Sequence, residues 1–164
     1  MKVLVTTASK HGSTADIGRS IADVLTGEGI ETRILAPEEV SSLDSYDAII
    51  LGSAVYAGRW MKPMRELVDR FEVELAGRPV WLFSSGPIGD PPKPEEDPVD
   101  VASIMEKTSA RDHFLFAGKI DRKKLNFGER AIVSALKAPE GDFRDWDEIR
   151  ERALAIAGEL KTRV

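Results

Sequence analysis

Residues 2–29, KVLVTTASKHGSTADIGRSIADVLTGEG, contain the change of period that decides the fold. Lys2–Thr7 is a short apolar run of the kind that forms a buried strand. From Ile17 onward the apolar residues recur at helical spacing, at Ile17, Ile21, Val24 and Leu25, and Gly27 and Gly29 end the pattern. Strand therefore gives way to helix across one loop, Thr6–Thr14, which holds five hydroxyl side chains around a single glycine.

The same alternation runs on through the chain. Ile30–Leu35 reads as a second strand and Asp47–Leu51 as a third, continuously apolar as a central parallel strand covered on both faces must be. Met61, Met64, Leu67, Val68 and Phe71 mark the next helix, Pro79–Phe83 a fourth strand, Val99–Lys107 a weaker helix and His113–Ala117 a fifth strand. The last helix opens with Asp145 as a cap and Glu148 three residues on, and buries Ile149, Ala153, Ile156 and Leu160. Strands alternating with helices call for an α/β fold, a doubly wound five-stranded parallel sheet with right-handed crossovers and helices on both faces. With 164 residues, 42 % of them apolar, residues 1–164 are expected to form one domain.

Composition narrows the chemistry. The chain has 23 basic and 28 acidic residues, a net charge of −5 that argues against a nucleic-acid surface. It has no cysteine, which excludes disulfides, thiolate nucleophiles and iron–sulfur ligation, so any redox role needs a bound cofactor. His11 and His113 are isolated in sequence and suggest no metal site. The chain begins directly on a strand without a leader, and no apolar run approaches the ~20 residues of a membrane span, so a cytoplasmic protein is expected.

In a doubly wound sheet, ligands lie beyond the carboxyl ends of the strands. Three loops emerge there. In the first, Ser9, Lys10, His11, Gly12, Ser13 and Thr14 can wrap a phosphate with backbone N–H groups and hydroxyls while the helix dipole favours its charge. The alternative is that Ser13 or Thr14 merely caps the helix. The loop is neither a Walker A sequence nor a G-x-G-x-x-G dinucleotide loop, and Leu51-Gly52 stands where a phospho-receiver would need an aspartate.

The second loop, Gly52–Trp60, offers Ser53, Ala54, Val55, Tyr56, Ala57 and Gly58, with Tyr56 the better aromatic for stacking on a ligand and Trp60 expected to pack inward. The third, Ser84–Asp90, offers Ser84, Ser85, Gly86, Pro87, Gly89 and Asp90, although glycine and proline serve any tight turn equally well. Two connections are longer than usual: Ser84–Pro98, with five prolines, and Arg122–Arg144. In the latter, Arg122, Lys123, Lys124, Arg130 and Lys137 surround Leu125, Phe127, Ile132, Val133 and Leu136. Such a basic amphipathic stretch suits an anionic membrane surface, a hydrophobic substrate, or simply a helix with its apolar side on the core.

Ser9-x-x-Gly12-x-Thr14 on the first strand-to-helix loop resembles the flavodoxin phosphate signature. The resemblance implies a flavodoxin-like sheet of order 2-1-3-4-5, bound FMN, a second loop facing the flavin ring and a third reaching its polar edge. An aromatic usual before the first loop is replaced here by Thr7, and Lys10 and His11 add charge. Over nearly the whole chain the sequence is more similar to the flavodoxin-like menaquinone-dependent protoporphyrinogen oxidases, through Tyr46-Asp-x-x-Ile-x-Gly52 leading to Gly58, Phe116-Ala-Gly118, Asp145-Trp146 and the extended segment before the last helix. Ala57 departs from that family's aromatic before the glycine. The likeness implies an FMN-dependent oxidoreductase whose partners are a porphyrinogen and a quinone. A soluble electron carrier with a protein redox partner, and a scaffold binding a deazaflavin or no flavin, remain alternatives. No residue is assigned as catalytic acid or base.

Overall fold

The computed structural model describes residues 1–56, 58–86, 100–117, 119–120, 141–142 and 144–162. Five parallel strands form the sheet: β1 (Lys2–Ala8), β2 (Glu31–Leu35), β3 (Ala48–Tyr56), β5 (Val80–Ser85) and β6 (Asp112–Phe116). Their order is β2-β1-β3-β5-β6, the doubly wound order expected, and the two-residue β4 (Arg59–Trp60) pairs antiparallel with β3. A second small sheet pairs β7 (Lys119–Ile120) with β8 (Gly141–Asp142), antiparallel. The helices are α1 (Ser13–Gly27), α2 (Lys62–Arg70), α3 (Glu72–Ala76), α4 (Val101–Thr108) and α5 (Trp146–Lys161).

The continuous apolar strands supply both faces of the sheet with alternate side chains. Val3, Val5, Ile50, Trp81, Phe83 and Phe116 meet Ile17, Ile21 and Leu25 of α1 and Ile149, Ala153, Ile156 and Leu160 of α5. On the opposite face Leu4, Ile49, Leu51, Val80 and Leu82 meet Met64, Leu67 and Val68 of α2, Leu75 of α3 and Ile104 of α4. The stripes that marked α1, α2 and α5 in the sequence are thus the buried faces of those helices. Asp145 caps α5 as expected, its carboxylate accepting the Glu148 N–H at 3.1 Å.

One boundary differs in a way that matters for the site. β3 does not stop at Leu51 but continues to Tyr56, because Gly52 and Ser53 remain paired with β1 on one side and β5 on the other, and Ala54 with β5. Register then aligns the strand ends along one edge: Ala8 lies beside Ser53, Ala54 beside Ser85, and Ser85 beside Phe116. Most of the long connections, residues 87–99 and 121–140, lie outside the described residues.

The far end of the Phe83 ring, on the neighbouring strand, occupies the space beside Gly52, and a Cβ at Gly52 would collide with it. Gly158, in contrast, sits inside α5 with open space where a Cβ would be. The two positions should respond to alanine with opposite sign. Gly52→Ala is expected to lower stability by about 1–3 kcal/mol through overpacking, and Gly158→Ala to raise it by roughly 0.5–1 kcal/mol through helix propensity. Urea unfolding of the two variants checks both signs.

Candidate functional site

The turn from β1 into α1 begins with Ser9, whose Oγ accepts the Gly12 N–H at 2.9 Å. Gly12 holds φ +88°, a left-handed conformation that glycine adopts without strain, and it is the residue preceding α1. No side chain caps the helix, and the first helical hydrogen bond runs from the Asp16 N–H to the Gly12 carbonyl at 3.0 Å. Ser13 and Thr14 are therefore the first two helical residues, and neither is the cap that the sequence left open as an alternative. A helix start leaves its first N–H groups without intrahelical partners, and among the described residues no acceptor lies on those of Ser13, Thr14 or Ala15. Thr14 is fully buried, yet its Oγ1 has no hydrogen-bond partner. Lys10 is exposed and His11 half-buried beside this turn.

What the sequence presents as the second loop is a hairpin. Tyr56 pairs with Arg59 and Val55 with Trp60, and Gly58 at the tip holds φ +74°. Ser53 Oγ accepts the Met61 N–H at 2.9 Å and donates to the Ala54 carbonyl at 2.8 Å, so this hydroxyl fastens the hairpin's return strand. Val55 is buried and Ala54 half-buried, whereas Tyr56 is 38 % exposed at the edge where the strands end. Trp60 packs inward as expected, at 1 % exposure. Ala57 lies outside the described residues.

Ser84 and Ser85 close β5 and are buried, and Gly86 follows with its N–H donated to the Phe116 carbonyl at 3.1 Å. The Ser84 hydroxyl is engaged within the fold: Trp60 Nε1 donates to it at 2.7 Å, and it lies 2.7 Å from His113 Nε2. Since an indole N–H can only donate, Ser84 Oγ accepts from Trp60. The Asp100 carboxylate, at the start of α4, accepts the Trp60 backbone N–H at 3.2 and 3.3 Å. This set of bonds fixes the hairpin to β5, β6 and α4. Pro87, Gly89 and Asp90, like the segment 122–137, lie outside the described residues.

Sequence reading missed Arg144. Its Nε and Nη2 donate to the two Asp142 carboxylate oxygens at 2.8 and 2.7 Å, and its Nη1 donates to the Ser13 carbonyl and to Asp16, each at 3.3 Å. The guanidinium lies 4.7 Å from the Trp146 ring centre. Its hydrogen bonds to Asp142 raise the Arg144 pKa above the ordinary arginine value, burial opposes that, and Asp16 adds to it. The visible signal was the spacing of Asp142, Arg144 and Trp146, an acidic, a basic and an aromatic residue two positions apart. Among the described residues no group of acidic or histidine side chains could hold a metal ion, and no helix is long and apolar enough to cross a membrane.

The strand ends, the helix start and the hairpin tip therefore share one edge of the sheet, and comparison with known proteins agrees with that architecture. Residues 4–147 match the flavodoxin domain family. The chain belongs to this family, for which FMN is the cofactor. A flavodoxin from the domain Archaea superposes at TM-score 0.64 with 18 % identity, covering 98 % of this chain and 99 % of that one. The Streptococcus pneumonia TIGR4 flavodoxin gives 0.63 with 19 % identity over the full length of both. The rubredoxin oxygen:oxidoreductase of Desulfovibrio gigas gives 0.68 with 13 % identity, covering 98 % of this chain but 36 % of that one. No curated protein matches the sequence.

Removing the Ser84 hydroxyl strands a buried indole N–H. Ser84→Ala is expected to cost roughly 1–3 kcal/mol, the desolvation penalty of an unpaired buried donor. Adding Trp60→Phe should then cost less than it does in the unsubstituted chain, because the stranded donor is gone. A double-mutant cycle by urea unfolding measures the coupling, and simple additivity would contradict the network.

Proposed function

We propose that the chain binds one FMN by its 5′-phosphate at the turn from β1 into α1 and serves electron transfer through the flavin. The observation that carries this reading is the Thr14 Oγ1, fully buried and without a hydrogen-bond partner in the first turn of a helix that lacks a side-chain cap. A phosphate oxygen is the acceptor that this hydroxyl and the N–H groups of Ser13, Thr14 and Ala15 lack, and the helix dipole adds to the attraction. The donor set is all neutral, as suits an anion that brings its own charge. Tyr56 and Gly58 at the hairpin tip would flank the ring, and Gly86 at the end of β5 would lie on its polar side. The flavin supplies the redox chemistry, while these residues bind it, orient it and set how much water reaches it.

A second, finer reading makes the chain an oxidoreductase like the protoporphyrinogen oxidases, with a porphyrinogen as substrate and a quinone as acceptor. What favours it is the base of the long segment: β7 follows β6, past its carboxyl end, after two residues and pairs with β8 in a small sheet of its own, and these two strands flank residues 121–140 in sequence. The cationic and apolar side chains of this segment suit an amphipathic, carboxylate-bearing substrate or an anionic membrane surface. A soluble carrier needs no such segment.

Thr14→Val separates binding from folding. Replacing an unpaired buried hydroxyl by a methyl should raise the stability of the flavin-free protein by about 1 kcal/mol. The same change should weaken FMN by about tenfold or more while leaving riboflavin within about twofold. Fluorescence titrations with both flavins read the split, and equal losses for the two would contradict the phosphate seat. Replacing residues 122–137 by a short Gly/Ser linker tests the finer reading. Retained FMN with lost protoporphyrinogen turnover supports it, and undiminished turnover refutes it.

A further inference from the structure

The first turn of α1 carries a carboxylate of its own, Asp16, just where a phosphate is to be held. An acidic side chain answers the helix dipole when nothing else is bound, but it repels a dianion brought to the same turn. Two guanidinium groups face it. Arg19 Nη1 lies 3.1 Å from one carboxylate oxygen and Arg144 Nη1 3.3 Å from the other. They are not equivalent, because the Arg19 side chain is 61 % exposed and the Arg144 side chain 6 %. Asp16 itself is 46 % exposed, so water reaches both pairs, and the Arg144 pair is the less screened of the two because its guanidinium is buried.

Arg144 is also held where it is needed. Asp142 grips Nε and Nη2, the Trp146 ring lies against the guanidinium, and Nη1 reaches the Ser13 carbonyl, within the turn that offers the phosphate donors. Removing Arg144 takes one of the two guanidinium groups from Asp16.

We infer that Arg144 is a positioning residue for phosphate recognition: by neutralising Asp16 and holding the Ser13 carbonyl, it keeps the first turn of α1 receptive to a dianion. This role rests on the FMN reading above and deepens it, because it makes selectivity for phosphorylated over unphosphorylated flavin depend on a side chain 128 positions from Asp16 in sequence. It also fastens β8, at the base of the 121–140 segment, to the helix that holds the phosphate.

The test titrates the flavin-free protein with FMN and with riboflavin, following flavin fluorescence, for the unsubstituted chain and for Arg144→Met, Arg144→Lys, Asp16→Asn and Asp16→Asn/Arg144→Met. Arg144→Met should lower FMN affinity about fivefold to tenfold and leave riboflavin nearly unchanged, the size expected for one partly screened charge. Arg144→Lys should keep most of the selectivity. Asp16→Asn should raise FMN affinity a few-fold, and in the double variant it should recover most of the loss. If Arg144→Met does not fold, the lysine variant and Asp16→Asn decide: FMN affinity unmoved by Asp16→Asn overturns the inference. So do equal losses for both flavins, or a double variant no better than Arg144→Met. Failure of the unsubstituted chain to bind either flavin overturns the FMN reading and this role together, whereas the other outcomes overturn the role of Arg144 alone.

Discussion

A parallel strand that is hydrogen-bonded on both sides and covered on both faces leaves the chain only one exit, over its carboxyl end. β1 is in that position, between β2 and β3 and with Val3, Leu4 and Val5 all fully buried. The chain must then turn and enter a crossover helix whose first N–H groups have no intrahelical partners. In this protein the turn is made by a left-handed glycine with no side-chain cap, so the donors stay open. Because β5 and β6 end within a residue or so of the register of Ala8 and β3 runs past it to Tyr56, the hairpin tip and the end of β5 come out at the same edge of the sheet as that helix start. The location of the site follows from the sheet.

The local features at that edge run against folding stability. Thr14 keeps a buried hydroxyl without a partner, which costs free energy in the absence of ligand. Asp16 places a carboxylate in the first turn of α1, and Arg144 Nη1 lies 3.3 Å from it. Ser84, Trp60, His113 and Asp100, by contrast, form a hydrogen-bonded set, so the hairpin is held firmly while the turn into α1 is left incomplete. Unfulfilled polar groups beside a rigid support are what a binding site needs before its ligand arrives. Thr6 has a buried, unpartnered hydroxyl as well, and nothing in the structure explains it.

Much of this was legible in the sequence because the burial pattern is regular. The change from a strand run at Val3 to helical spacing at Ile17 identified β1 and α1, and the continuous apolar stretch around Ile49 identified a strand covered on both sides. The hairpin was not legible. Gly52-Ser-Ala reads as the start of a loop, yet pairing with two neighbours carries those residues on as strand, and the Phe83 ring fills the space that a side chain at Gly52 would take. Tertiary pairing overrode local preference there. Arg144 was hidden for a different reason. The partners that tie it to α1, Ser13 and Asp16, are distant in sequence, and only the nearby Asp142 and Trp146 hinted that it belonged to a built cluster.

The account depends most on the claim that the helix start at Gly12–Ala15 holds a phosphate. Phosphorus-31 NMR of FMN added to the flavin-free protein tests this directly, because the second ionisation of a phosphate monoester in water falls near pH 6. The account predicts a saturable new resonance whose position stays constant as pH is varied across that ionisation, since backbone N–H groups and the Thr14 hydroxyl hold the dianion. A resonance that titrates as it does for free FMN would contradict it.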